Sequence, residues 1–223
     1  MKRLNLITFL LCGIALMLAA FPVFAQKKDD AARETEINRK PLQDFAEMVR
    51  QRIEQKEVDF DKPFLVEAEI VLTEEGKFDA KKSKFTKSEG DPKMADIAKS
   101  AIQAIGESGF FGNLKSQGLD KISFSLQQDD SSFSSIIKSE LQTVEKAKTT
   151  ASALNTVLAM VSMVDKQGIK KLDDASRVLV NNSKVSAQEK SVIINFSMPK
   201  ADFHEMILRE IMKSAEKNKN VQS

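Results

Sequence analysis

Apolar and polar residues alternate most regularly between residues 64 and 72. Apolar residues occupy every second position of this run, at Phe64, Val66, Ala68, Ile70 and Leu72, and alternate with Leu65, Glu67, Glu69 and Val71. A period of two places them on one face of an extended chain, so the pattern predicts a half-buried β-strand. Glu75-Gly76-Lys77 follows. Because glycine adopts positive φ without steric cost, Gly76 predicts a hairpin turn after the strand.

The chain after this turn predicts a second strand, a helix and a third strand. The more polar run 77–87 predicts the returning strand. Ser88-Glu89-Gly90-Asp91-Pro92 predicts its end and the start of a helix, with Asp91 as N-cap and Pro92 at the first helical position. A helical stripe follows and consists of Met94, Ile97, Ala98, Ala101 and Ile105. After a loop at 106–118, residues 119–127 alternate again and predict the third strand.

This ββαβ order resembles the C-terminal domain of the TonB family of energy transducers. The resemblance spans about residues 60–127, a third of the chain, and lies in residues 66–72, 75–77, 88–92 and 95–105. The residues of its turn and helix-entry motif are Gly76, Ser88, Gly90, Asp91 and Pro92. The resemblance implies a non-enzymatic module that accepts an extended peptide from an outer-membrane receptor by strand addition.

By position, the third predicted strand corresponds to the family's last strand, which is an edge strand. The resemblance therefore implies a partner-binding edge whose residues are Lys121, Ile122, Ser123, Phe124 and Ser125. The backbone of this strand, and no particular side chain, would carry the interaction.

The chain also departs from the family pattern. It has no proline-rich spacer, its apolar N-terminal segment contains no histidine, and residues 128–223 continue beyond the resembling region. These departures favour an exported relative of the module, used for binding an envelope protein or for envelope assembly. An anchored transducer of transport energy is one alternative. A carrier that encloses an apolar ligand in its methionine-rich second half is another.

Residues 131–216 predict a mostly helical second half. Apolar residues recur at spacings of three, four or seven, and neither Gly nor Pro interrupts residues 131–167. The pattern predicts one long helix, or two with a kink, ending at Gly168 as a C-cap. Its almost uncharged part, 151–164, is either buried or an interface for homo-oligomers.

The remaining segments complete an α+β fold. Residues 41–53 and 169–181 predict helices, 184–187 and 191–198 predict a hairpin, and a helix with a capping box at Asp202 precedes a tail at 217–223. One antiparallel sheet of about five strands with helices on one face accommodates the ββαβ module and this C-terminal hairpin. A small sheet with a separate helical layer is the alternative.

The first 25 residues predict a signal peptide. Lys2 and Arg3 precede an apolar run, and Val23-Phe24-Ala25 suits cleavage before Gln26. The predicted location is therefore the periplasm or the extracellular space, with no membrane contact after cleavage. An uncleaved membrane anchor is the alternative. Residues 26–40 are charged, without apolar periodicity, and predict a flexible tether before the module at 41–130.

Charge and cysteine content limit the classes of partner and chemistry. Without the signal peptide, 32 basic residues stand against 32 acidic ones, which argues against nucleic acid as a partner. The single cysteine, Cys12, leaves with the signal, so the mature chain has no disulfide.

No catalytic, metal or cofactor site is predicted. The single histidine, His204, lacks partner ligands nearby in sequence and is expected to face solvent. The carboxylate pairs Glu74-Glu75 and Asp129-Asp130 fall in predicted turns, where water screens them. For Phe110-Phe111, burial under the sheet and contact with a partner both stay open.

Overall fold

A computed structural model describes residues 38, 40–74, 77–115, 119, 121–169, 171–172 and 174–219, without the side chains of 113, 175 and 210–219. The predicted signal peptide, most of the predicted tether and the turn glycine Gly76 lie outside the described residues.

The described residues form helices and strands in the order α1, β1, β2, α2, α3, β3, β4, α4, α5, β5, β6, α6. The helices are α1 Lys40–Glu54, α2 Pro92–Glu107, the single turn α3 Gly112–Lys115, α4 Val144–Lys166, α5 Asp174–Asn182 and α6 Lys200–Lys219. The strands are β1 Phe64–Val71, β2 Lys84–Gly90, β3 Lys121–Gln128, β4 Ser132–Glu140, β5 Ser183–Gln188 and β6 Ser191–Pro199.

All six strands belong to one antiparallel sheet. Their order across the sheet is β2-β1-β3-β4-β6-β5. The predicted α+β class, with a ββαβ module, a C-terminal hairpin and packed helices, is confirmed. The sheet has six strands, whereas the sequence predicts about five. The additional strand is β4, which returns along β3 in a segment that was predicted to be helical.

The hydrophobic core lies between one face of the sheet and the helices. Alternate residues of each inner strand are buried, as in Val66 of β1, Phe124 of β3 and Ile194 of β6. Ile97 of α2 and Leu154 of α4 pack into the same cluster. Burial of this one face supplies the main stabilisation, at roughly 25 cal/mol for each Å² of apolar surface.

The long helix predicted at 131–167 is wrong in its first part. Ser132–Glu140 is the strand β4, and the helix begins only after Thr143, whose side chain accepts the N–H of Lys146 as an N-cap. In β4 the buried residues Ser135, Ile137 and Ser139 recur with a period of two. Serines at inward positions conceal this alternation, because they read as polar in the sequence.

Three further boundaries differ from the prediction. The helix predicted at 169–181 is α5, which begins at Asp174, and Ile169 is not helical. Strand β2 begins at Lys84 and continues to Gly90, so Ser88 is inside the strand and not beyond it. Helix α6 begins directly after β6, where the N–H of Lys200 donates to the carbonyl of Ser131 at 2.8 Å. The predicted start of this helix at a capping box on Asp202 is therefore wrong.

Several local predictions are confirmed. The Asp91 carboxylate accepts the N–H groups of Lys93 and Met94 at 3.0 and 2.9 Å, with Pro92 in the first helical turn. Phe110 and Phe111 are both fully buried, which answers the question left open by the sequence.

We predict that Gly90→Ala lowers the free energy of unfolding by more than about 2 kcal/mol, measured by urea denaturation. Gly90 has a φ of +85°, which costs an L-residue about 1–2 kcal/mol. An added Cβ would also collide with the carbonyl oxygen of Pro63. Gly168→Ala is the matched control, since φ is +70° there but nothing lies within 4 Å of the added atom. Equal losses in the two variants would contradict the close approach at Gly90.

Candidate partner-binding edges of the sheet

The strand expected to bind a partner is an interior strand. Phe124, in the middle of the predicted site Lys121 to Ser125, lies opposite Ala68 of β1 on one side and Ile137 of β4 on the other. The backbone of β3 is therefore already paired along both sides. The prediction of an edge strand at this position is wrong, because residues beyond the resembling region return along β3 as β4.

A hydrogen-bonded turn at Asp129 sends the chain back along β3. The Asp129 carboxylate accepts the N–H groups of Ser131 and Ser132, each at 2.7 Å, and also their hydroxyl groups. These bonds, the one from the Ser131 N–H first, lower the pKa of Asp129 to about 2. The carboxylate is therefore ionised at neutral pH and has a structural role in the turn.

The two edges of the sheet are β5 and β2, and α4 closes the edge at β5. The side-chain amide of Asn155 donates to the carbonyl of Val185 at 2.8 Å and accepts the N–H of Val185 at 3.3 Å. Asn155 thereby takes the place of a residue on a neighbouring strand. The central backbone groups of β5 are not free to pair with another chain.

The edge at β2 is open within the described part of the chain. The sheet ends at β2, and all seven of its residues are exposed. The N–H of Asp91 points inward to the carbonyl of Pro63 at 2.9 Å. The carbonyl of Val71 likewise accepts the N–H of Asp79, so the odd-numbered residues of β1 turn their main-chain groups toward β2. Ser88 and Gly90 lie opposite the even-numbered Val66 and Phe64, and their N–H groups therefore point outward from the sheet. They are available to an added strand.

The side chains of β2 give this edge a basic and partly apolar character. Lys84 forms an ion pair with Glu69 at 3.0 Å, and Lys87 forms one with Glu89 at 3.2 Å. On the helix side, Phe85 is 36% exposed and lies beneath the ammonium of Lys99. Residues 77–90 contain five lysines against two acidic residues. Lysines on an edge also discourage non-specific pairing between sheets.

The predicted solvent-facing histidine is instead largely buried. The side chain of His204 is only 15% exposed, and its Nε2 lies 3.1 Å from Oε1 of the buried Gln128. The amide nitrogen of Gln128 donates to the carbonyls of Phe60 and Lys62. Since both amide hydrogens are used, Oε1 must accept, and His204 must carry its proton on Nε2.

The hydrogen bonds of this cluster have a structural role. It joins the segment before β1 to β3 and α6. Burial lowers the pKa of His204, while the Asp61 carboxylate, 3.7 Å from Nδ1, opposes that shift. No group of three metal-ligating side chains converges anywhere in the described residues.

A small cleft separates α5, the end of β6 and α6. Its volume is about 240 Å³, with Val178, Met198 and Met206 among its apolar walls and acidic side chains at its rim. Pockets for small molecules usually measure about 300–1,000 Å³. The cleft therefore gives little support to the alternative of an apolar-ligand carrier.

No helix in the described part of the chain is long and apolar enough to cross a membrane.

We predict that Asn155→Ala opens the edge at β5. The loss of two hydrogen bonds should cost about 1 kcal/mol of unfolding free energy. The uncovered strand should promote self-association, seen as a concentration-dependent mass in sedimentation velocity. Thr156→Ala is the control, since that hydroxyl bonds only within its own helix, to the carbonyl of Ser152. The same mass for both variants at all concentrations would argue against closure of this edge by Asn155.

We predict a pH-dependent stability from the single histidine of the chain. The pKa of His204 is lower in the folded state, so the unfolded chain binds the proton more tightly. The free energy of unfolding is then highest above the ordinary pKa of about 6.5 and declines as the pH falls through the folded pKa. His204→Gln should flatten the curve in this range, measured by urea denaturation. An unchanged slope would refute the assignment.

Comparison of the chain with protein-family models, with curated proteins and with solved structures finds no match in any of the three. The resemblance to the TonB C-terminal domain therefore stays a prediction from the sequence.

Proposed function

We propose that this chain is an exported, non-enzymatic protein of the cell envelope that binds an extended segment of a partner protein by strand addition at β2. The observation that carries the proposal is the difference between the two sheet edges. One edge is closed by Asn155, and the other presents outward N–H groups with no strand beside them in the described residues.

Strand addition is the binding mode that suits this surface. An extended segment laid along β2 gains a ladder of main-chain hydrogen bonds, and alternate side-chain contacts add specificity. On one face of the enlarged sheet it would lie beside Phe85, and on the other beside Lys84 and Lys87. A partner segment with apolar and charged residues at alternate positions fits both faces.

The resemblance to TonB supports the same class of function at a different strand. That family implies strand addition to the last strand of the module, and here that strand is covered by β4. The open edge is the opposite side of the same three-stranded unit, β2-β1-β3. The absence of a cluster of three metal-ligating side chains among the described residues is compatible with binding but does not carry the proposal.

A peptide selection with matched variants tests the binding site. Peptides displayed as a random library are selected on the chain beginning at Gln26, and the binding of the enriched peptides to Ser88→Pro is then measured. Proline removes the outward N–H of this exposed residue, and an edge strand tolerates it. We expect the enriched peptides to bind Ser88→Pro at least about tenfold more weakly, since a ladder bond is lost and the ring blocks approach.

Ser88→Ala is the control in this selection, because it removes the hydroxyl and keeps the N–H. It should bind the enriched peptides as the unchanged chain does. Peptides that bind Ser88→Pro and the unchanged chain equally would place the binding surface elsewhere. A selection without enrichment would remove the support for strand addition.

Export is tested by the mass of the mature chain. Expressed with its own N-terminus in a bacterium with a periplasm, the chain should be recovered from the envelope fraction with a mass that begins at Gln26. Leu10→Arg, which interrupts the apolar run, should leave the full-length chain in the cytoplasm. Recovery of the unchanged chain with Met1 to Ala25 still attached would favour the anchored alternative.

A further inference from the structure

A second surface lies at the far end of α4, away from the sheet edge. Ile169 is 71% exposed, more than any other large apolar residue that is exposed in the described part of the chain. Met163, which precedes Ile169 in the last part of α4, is 49% exposed. A large aliphatic side chain left in water costs about 1–2 kcal/mol relative to burial.

The backbone holds Ile169 in this exposed position. The N–H of Gly168 donates to the carbonyl of Asp165 at 3.0 Å, and that of Ile169 donates to the carbonyl of Val164 at 3.2 Å. With a φ of +70° at Gly168, this is a Schellman motif. An apolar residue at this position commonly covers the last helical turn. Here most of the side chain remains outside that contact.

A cluster of charged groups joins the end of α4 to Leu172 and to α5. Arg177 holds the Asp165 carboxylate through Nε at 2.8 Å, and the same carboxylate accepts the N–H of Leu172 at 2.8 Å. Arg177 also donates to the carbonyl of Leu172 and to the carboxylate of Asp174. The exposure of Ile169 is therefore set by a hydrogen-bonded frame. Asp165 and Asp174 are both paired with Arg177 in this frame.

The described residues around Ile169 carry a small excess of positive charge, since Lys166, Lys171 and Arg177 stand against Asp165 and Asp174. Lys166 and Lys171 are both exposed, whereas Lys170 and Asp173 lie outside the described residues. Asp165 and Asp174 are already paired with Arg177. An apolar tip surrounded by lysines complements a bilayer with anionic headgroups, where apolar residues enter the interface and lysines contact phosphates.

The composition of the outer face of α4 is typical of an interface and not of a surface in contact with water. From Thr149 to Val164 the helix contains no ionisable residue. Its exposed residues in this stretch include Ser152, Thr156 and Met163. Solvent-facing helix surfaces normally carry charged residues.

We propose that this tip, formed by Met163, Lys166, Ile169 and Lys171, docks the protein on the surface of an anionic phospholipid bilayer, with Ile169 and Met163 entering the headgroup region. The proposal is independent of strand addition at β2. It differs from the expectation that the mature chain has no membrane contact. A second copy of the chain fits the tip less well, since a two-fold contact there would bring the same lysines of both copies together.

Vesicle sedimentation tests the docking. The chain beginning at Gln26, which retains every described residue, is mixed with phosphatidylcholine vesicles with and without phosphatidylglycerol. We expect binding only with the anionic lipid and a decrease with added salt. Ile169→Ser should weaken binding about tenfold. Lys166→Gln and Lys171→Gln should each weaken it about fivefold.

Ile136→Ser is the matched control, since Ile136 is also an exposed isoleucine, at 40%, but lies on the open face of the sheet. It should bind vesicles as the unchanged chain does. Ser88→Pro should also bind vesicles as the unchanged chain does. The vesicle result and the peptide selection therefore test two different surfaces. Equal binding by Ile169→Ser and the unchanged chain, no binding by the unchanged chain, or a change in oligomeric state alone would overturn the proposal.

Discussion

The pairing of β3 with β4 is the interaction on which the rest of the structure depends. It joins a β2-β1-β3 unit and a β4-β6-β5 unit into one sheet, with a register that runs from Ile122 opposite Ser139 to Gln128 opposite Phe133. The Asp129 turn fixes this register, and the buried side chains of both strands then face the same helices. A one-residue slip would move the serines and isoleucines of β4 to the wrong faces.

The same pairing decides where a partner can bind. Once β3 is interior, only β2 and β5 can receive another strand. The side chain of Asn155, on α4, closes β5, so this edge is protected without a further strand or helix beside it. The lysines of β2 leave its backbone accessible and limit indiscriminate pairing. One edge of the sheet is thus closed and the other is open, and that difference supports a binding function.

Local features were predictable from the sequence, and long-range ones were not. Strand β1, the Asp91 cap, the stop at Gly168 and the hairpin β5–β6 follow from alternation and turn chemistry near each residue. Strand β4 was missed because its inward serines suppress the alternation, while apolar residues spaced by four and seven suggest a helix.

The fate of each edge depends on residues distant in sequence. Nothing within Lys121 to Ser125 indicates that β4 covers it, and nothing in β5 indicates Asn155, thirty residues earlier. The burial of His204 depends likewise on Gln128, an inward glutamine that a strand pattern does not single out. The exposed Ile169 follows a recognisable C-cap glycine, but its exposure requires the positions of α4 and α5.

Residue-resolved hydrogen exchange of the chain beginning at Gln26, without a partner, tests the edge assignment most directly. The account predicts slow exchange for the amides of β3 and for Val185, and fast exchange for the outward amides of Ser88 and Gly90. Protection of Ser88 and Gly90 equal to that of β3 would show that β2 is already covered, and would contradict the open edge.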